Sequence, residues 1–318
     1  MSRRTRSLAA VPLALLLAAG GLGAPASAAP KPGPGTIPLV TGSMPEGISA
    51  GPGLTFFAGA RSDGAVYVGN TRNGKLRTLV RGEPGEVAVG LLYDEATKRL
   101  WVAGGSTGDV TAYDARSGRE LFTVNIGPGT SPGTSPRSRF LNDVAITPDA
   151  VYVTDSTRPE LIVIPTPGGR LPAPGTATVL PLTGDYVQPS GFGANGIRAL
   201  PDGDLLLVSG GRLYTVTTAG VTDLVEVTGG ALTAGDGLVL SGSTLYVVNG
   251  FGGNEVVVLR LADDAGSATV TGVLTAPELD RPTTGALVGG SLYVVNGRFG
   301  TLPRDPDAPV FVTRLPQG

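Results

Sequence analysis

Apolar residues come in short blocks along this chain, each broken by Gly, Pro, Asn or Asp before it is long enough for a helix. Leu54-Thr55-Phe56-Phe57-Ala58, Ala65-Val66-Tyr67-Val68 and Lys75-Leu76-Arg77-Thr78-Leu79-Val80 follow one another, with Asp63-Gly64 and Asn73-Gly74 between them. Blocks of this length, rich in β-branched and aromatic residues and bounded by turn residues, predict β-strands, and the Asx-Gly pairs predict two-residue hairpins. The plan returns as Leu100-Trp101-Val102-Ala103, Val110-Thr111-Ala112-Tyr113 and Leu121-Phe122-Thr123-Val124, then as Val151-Tyr152-Val153-Thr154, Leu161-Ile162-Val163-Ile164 and Thr178-Val179-Leu180. A fourth group runs through residues 204–208, 212–216 and 222–227, and a fifth through 244–248, 255–261 and 268–274.

Each group opens on one motif: Glu46-Gly47-Ile48, Val89-Gly90-Leu91, Asn142-Asp143-Val144, Asn195-Gly196-Ile197, Asp236-Gly237-Leu238 and Thr284-Gly285-Ala286. The motif recurs at intervals of about 40 to 55 residues, the period of a propeller blade. The sixth group has only residues 291–295 and 310–315 after its opening, so it is one strand short, while Thr36-Ile37-Pro38-Leu39-Val40 stands unused before the first. A ring of blades exposes an aggregation-prone edge unless one terminus completes the last blade. The expectation is an all-β fold: a six-bladed β-propeller of four-stranded antiparallel blades over residues 36–318, closed by an N-terminal strand. A β-sandwich would leave the periodicity without a cause. Residues 127–139, with a repeated Gly-Thr-Ser-Pro, and residues 183–192, carrying Asp185, Tyr186 and Phe192, lengthen the connection before a blade opening and read as solvated loops on the channel face.

Composition narrows the chemistry more than the fold. Gly 50 and Pro 27 among 318 residues would signal low complexity without pattern, but here they punctuate strands. Net charge is -2, with basic residues clustered only at the extreme N-terminus, which argues against nucleic acid as a partner. His 0 removes imidazole bases and most zinc, copper and haem sites, and Cys 0 removes thiolate nucleophiles and disulfides. What remains is carboxylates, amides, hydroxyls and Arg, or a hard cation held by oxygen, calcium first.

Arg3, Arg4 and Arg6 precede a run of Ala, Leu, Val and Gly, followed by Ala26-Ser27-Ala28. This is the pattern of a secretory signal peptide over residues 1–28, with a Pro- and Gly-rich leader at 29–35 and a secreted, monomeric protein after cleavage. The run is short of the roughly 20 residues a spanning helix needs, and no later segment approaches that length. Ser2-Arg3-Arg4 resembles a twin-arginine signal, but Arg6 and Ser7 stand where apolar residues belong, so export of the general secretory type is expected.

The first strand of a propeller blade lines the channel, so the motif's leading residues form a ring: Glu46, Val89, Asn142, Asn195, Asp236 and Thr284. Two carboxylates and two carboxamides converge in it. Without a cation, Glu46 and Asp236 would repel in a poorly solvated channel and one would take up a proton. A divalent ion would match their charges, with water or substrate completing the six to eight oxygens calcium prefers. Asp143 reads as a turn-stabilising carboxylate beside them. Asp155, Asn249 and Asn296 each end the second strand of a blade, and with Tyr186, Phe251 and Arg298 they are candidate substrate contacts at the same mouth. Asn and Asp at those positions also suit hairpin ends.

Pro45-Glu46-Gly47-Ile48, Leu141-Asn142-Asp143-Val144, Ala194-Asn195-Gly196-Ile197 and Gly235-Asp236-Gly237-Leu238 resemble the blade openings of the senescence marker protein, gluconolactonase and luciferin-regenerating enzyme family. The resemblance implies one channel calcium held by Glu46, Asn142, Asn195 and Asp236, hydrolysis of a small-molecule lactone or ester above it, and Asp236 as general base or nucleophile. Two departures keep a second reading open. The chain has no His, and Ser49-Ala50 follows the first motif where lactonases often carry an aromatic or acidic residue. Pro-x-Gly-Ile also opens the blades of NHL-type propellers, which bind a glycan, peptide or protein partner without chemistry.

Overall fold

The computed structural model describes residues 34–127, 139–302 and 305–316. The expected signal peptide, most of the expected leader and most of the Gly-Thr-Ser-Pro segment lie outside the described residues.

The strands form six sheets of four or five strands. In the first, Pro45–Ala50, Thr55–Ala60, Val66–Asn70 and Leu76–Val80 pair antiparallel in chain order, and the second repeats this with Leu91–Asp94, Arg99–Ala103, Asp109–Asp114 and Glu120–Asn125. Leu141–Ile146, Ala194–Ala199, Leu238–Ser241 and Pro282–Val288 open the other four. In the sixth, Phe311–Leu315 is flanked by Thr36–Pro38, with Ile37 opposite Val312 and Thr36 opposite Thr313. The N-terminal strand thus completes the last blade, as the strand count requires. The fold is a six-bladed β-propeller.

The apolar blocks are nearly continuous because both faces of each sheet are buried. Val66 and Phe57 of the first blade meet Leu91 and Leu100 of the second, Trp101 and Phe122 of the second meet Val151 and Ile162 of the third, and Tyr152 and Leu161 of the third meet Leu205 and Tyr214 of the fourth. The same holds for the fourth with the fifth, the fifth with the sixth, and the sixth with the first. Alternate side chains of a strand serve opposite neighbours. The hydrophobic core therefore lies between blades and leaves the axis to polar residues.

The blade-opening motif owes its glycine to the neighbouring blade. Gly90 N–H donates to Asn142 O at 2.8 Å, Gly196 N–H to Asp236 O at 2.8 Å, and Gly237 N–H to Thr283 O at 2.7 Å. A Cβ on Gly90 would lie 2.0 Å from Asn142 O, and one on Gly196 2.4 Å from Asp236 O. The leading residues hand their carbonyls to the preceding blade, which leaves their side chains for the channel. Asp143 replaces the glycine in the third blade and spends its carboxylate on the fourth, accepting from Ile197 N–H at 3.1 Å and Arg198 Nη1 at 2.7 Å. Replacing Gly196 with Ala forces the two blades apart, and we expect a loss of about 3 kcal/mol in denaturant unfolding.

Three expectations are corrected. The two Asx-Gly hairpins of the first blade are longer than two residues: Gly64 and Gly74 take left-handed backbone (φ 76° and 68°), while Asp63 and Asn73 instead accept Ala65 and Lys75 N–H through their side chains at 3.1 and 3.0 Å. Two blades gain a parallel outer strand, Thr183–Gly184 beside Val221–Leu224 and Glu226–Thr228 beside Ser267–Leu274. The apolar run at 222–227 is therefore divided between two blades, with buried Val225 at the crossing. In the sixth blade Pro282 pairs with Asn296 as Pro45 does with Ala60, so Thr283, not Thr284, takes the leading place. The same irregularity follows the opening residue of the first, third and fourth blades, so Thr284 stands where those blades carry Gly47, Asp143 and Gly196.

Candidate functional site at the channel mouth

Glu46, Asn142, Asn195 and Asp236, drawn from four blades, all face one cavity of about 380 Å³. Phe140, Phe192, Phe251 and Phe299 form its walls, and Arg61 reaches into it. Phe140 and Phe192 meet edge to face at 4.9 Å, and Phe251 and Phe299 stack at 5.4 Å with 17° between planes.

The amide of Asn142 has a fixed orientation. Ser156 Oγ–H is committed to Ala194 O at 2.6 Å, so Oγ accepts from Asn142 Nδ2 at 3.0 Å. The amide nitrogen is thereby occupied, and Oδ1 is the end left for a ligand. Asn195 makes a side-chain hydrogen bond that favours ionised Asp236. It is outweighed: burial first, then the charges of Glu46 and Asp143, raise Asp236 well above the ordinary carboxylate range. Glu46 is pushed up to about 8, by burial first and Asp143 next, against the pull of Arg61. Two acids that resist ionisation beside oxygen donors form a site whose electrostatics a divalent cation would satisfy. Among the described residues no three His, Cys, Asp or Glu converge, so such an ion would have two carboxylates and two carboxamides as its donors.

Of the other candidate contacts Phe251 lines the cavity, whereas Asp155, Tyr186, Asn249, Asn296 and Arg298 do not. Asp155, Asn249 and Asn296 are fully buried and act as latches between the end of a second strand and the approach to the first. Asp155 accepts from Phe140 N–H at 3.3 Å, Asn249 from Ala234 N–H at 2.8 Å and Asn296 from Asp280 N–H at 2.9 Å. Their remaining atoms are also engaged: Asp155 with Arg139 at 3.1 Å, Asn249 with Thr233 at 2.7 Å and Asn296 with Thr313 at 2.9 Å. Tyr186 donates to Gln188 Oε1 at 2.8 Å and packs on Tyr214, and Arg298 pairs with Asp280 at 2.9 Å. Gln188 holds Ser156 O at 3.1 Å, so this network fixes the approach to Phe192 rather than touching a ligand. We expect Asn249→Ala and Asn296→Ala each to lower stability by about 2 kcal/mol in denaturant titrations and to change cavity ligand affinity less than about twofold.

Arg61 was not singled out by sequence reasoning. In the first, third, fourth and sixth blades, the residue following the partner of the strand opening is Arg61, Ser156, Gly210 and Gly297. Gly105 and Gly250 hold the place in the other two. A single large cation in a ring of Gly and Ser is the signal that would have found it.

No known family profile matches the chain, and no curated protein matches its sequence. Solved structures share its fold. The major allergen Mala s 1 of Malassezia sympodialis is 17% identical over 89% of this chain and 96% of its own, with a TM-score of 0.68. Virginiamycin B lyase of Staphylococcus aureus is 11% identical over 89% of this chain and 98% of its own, with a TM-score of 0.58. The PQQ-bound aldose sugar dehydrogenase of Streptomyces coelicolor is 14% identical over 89% of this chain and 99% of its own, with a TM-score of 0.57. At these identities the likeness establishes the propeller and no more.

Proposed function

We propose that this protein is a calcium-dependent hydrolase of small lactones or esters, exported through the signal at residues 1–28. The observation that carries the reading is the convergence of Glu46, Asn142, Asn195 and Asp236 in one aromatic-walled cavity. Those four residues would hold the cation, which when bound supplies Lewis-acid polarisation of a carbonyl. Asp236, whose ionised form the Asn195 side chain favours by hydrogen bonding, is the base for an attacking water. The four Phe rings limit water access, and Asn195 orients the Asp236 carboxylate by hydrogen bonding to it. The propeller fold carries a lyase and a dehydrogenase among the structures this chain resembles, so the fold is compatible with small-molecule chemistry.

The test is a turnover screen on aliphatic and aryl lactones and esters in calcium and in chelator. We expect hydrolysis that chelator abolishes and that Asp236→Asn lowers by at least about 100-fold. Activity unchanged in Asp236→Asn would remove that residue's role. The absence of His favours a second reading, a non-catalytic propeller that binds an extracellular glycan, peptide or protein in the same cavity. A cation-loaded protein that binds a ligand without turning it over would establish it.

A further inference from the structure

Arg61 carries an inference about what the cavity accepts. Its guanidinium lies 4.9 Å from the centre of the Phe299 ring. Among the described residues it makes no ion pair and no side-chain hydrogen bond, although it stands near enough to Glu46 and Asp236 to favour their ionised forms. An Arg held over an aromatic face keeps its in-plane donors free, and those donors match a carboxylate in bidentate fashion. Its five counterparts around the axis are Gly or Ser, so no side chain of similar size fills the space beside it.

The apolar part of the ligand has its own surface. Phe251 is 58% exposed and Phe192 59% exposed, unusual for Phe, and each is propped by a second ring: Phe299 behind Phe251, Phe140 behind Phe192. Arg281 lies over the Phe251 ring at 5.8 Å and adds positive charge to that rim. The two aromatic pairs line the same cavity as Arg61. Flat rings stack well on such platforms, and an exposed, buttressed aromatic pair beside a free guanidinium suits a ligand that is both planar and acidic.

We propose that the cavity selects small ring compounds bearing a carboxylate, with the acid group on Arg61 and the ring on the Phe251/Phe299 and Phe140/Phe192 pairs. This deepens the hydrolase reading by naming its substrate class, carboxylate-bearing aryl or cyclic esters and lactones. Arg61 is then a specificity residue, with no part in proton transfer.

Calorimetric titration of phenylacetate against its neutral isostere phenylacetamide tests the selection without turnover. The wild-type protein should bind phenylacetate at least about tenfold more tightly. Arg61→Gln should bring the two within about twofold by weakening phenylacetate alone, and Phe251→Ala should weaken both alike. Thermal melting of each variant checks that it is folded, and the wild-type comparison stands if a variant is not. Equal binding of the two probes by the wild-type protein, no binding of either, or an undiminished preference in Arg61→Gln overturns the proposal. Calcium titrated in the same preparations separates the two readings: cation binding without acid preference defeats only this inference, and Arg61-dependent acid preference without cation binding defeats only the hydrolase.

Discussion

We expect the protein in chelator to lose thermal stability as pH rises from about 5 to about 8, and saturating calcium to remove that dependence. The sign follows from the raised carboxylates. Glu46 in the fold is pushed from its usual 4.5 up to about 8, and Asp236 is also raised, so the folded protein without cation holds protons that the unfolded chain has released. The stabilisation is complete below the unfolded values and disappears as pH climbs through the folded ones. Each proton held only by the folded state makes stability fall by about 1.4 kcal/mol per pH unit within that window. Calcium would compete with those protons, so its effect should be larger at the alkaline end. At 100 times its dissociation constant it would stabilise by about 2.7 kcal/mol, a rise of about 5 to 10 °C for a domain of this size. Glu46→Gln should flatten the pH dependence in chelator and abolish the response to calcium. Melting curves across the pH range, with calcium and with chelator, are the measurement.

Removing residues 34–40 should have an equally large effect through a different part of the molecule. Ile37 is fully buried and Leu39 nearly so, packed with Ile48, Val295 and Val312 where the sixth blade meets the first. Deletion takes away two core side chains, each worth about 2 to 5 kcal/mol, from a domain whose whole stability is about 5 to 15. It also bares the Phe311–Leu315 edge. We expect loss of cooperative unfolding and concentration-dependent aggregation, and recovery of the sharp transition when a synthetic peptide of residues 34–42 is added. A truncated protein that melts as sharply as the intact one would show that the ring does not depend on this closure.

Most of the architecture was legible because propeller geometry writes itself as period. The blade openings, the strand groups and the strand missing from the sixth group lie in the order of residues, and strand-to-strand contacts within a blade are local. What escaped depends on contacts that the period does not contain. Thr284 was taken for the leading residue because Gly285 follows it, whereas in the sixth blade Thr284 itself fills the place that Gly47 holds in the first. The parallel pieces at Thr183–Gly184 and Glu226–Thr228 are too short to show periodicity and are held by neighbouring strands. Asp155, Asn249 and Asn296 looked like ligand contacts because latching a loop and binding a substrate call on the same side chains, and only their buried partners separate the two. Arg61 was missed for the opposite reason: it follows a second strand, outside the motif that drew attention, and it occurs once.

The ring itself changes meaning with the structure. Glu46, Asn142, Asn195 and Asp236 give their carbonyls or neighbouring N–H groups to the girdle that joins blades, so some of the motif's regularity is structural. Their side chains are not needed for that girdle, since Val89 stands at the same place in the second blade. The oxygen-rich side chains therefore call for a separate explanation, and we propose a bound divalent cation.

Calcium titration of the chelator-treated protein by calorimetry, beside Glu46→Gln and Asp236→Asn, tests that explanation most directly. We expect one cation per wild-type chain and at least about 100-fold weaker binding in either variant. No cation bound by the wild-type protein, or affinity unchanged in both variants, would contradict it.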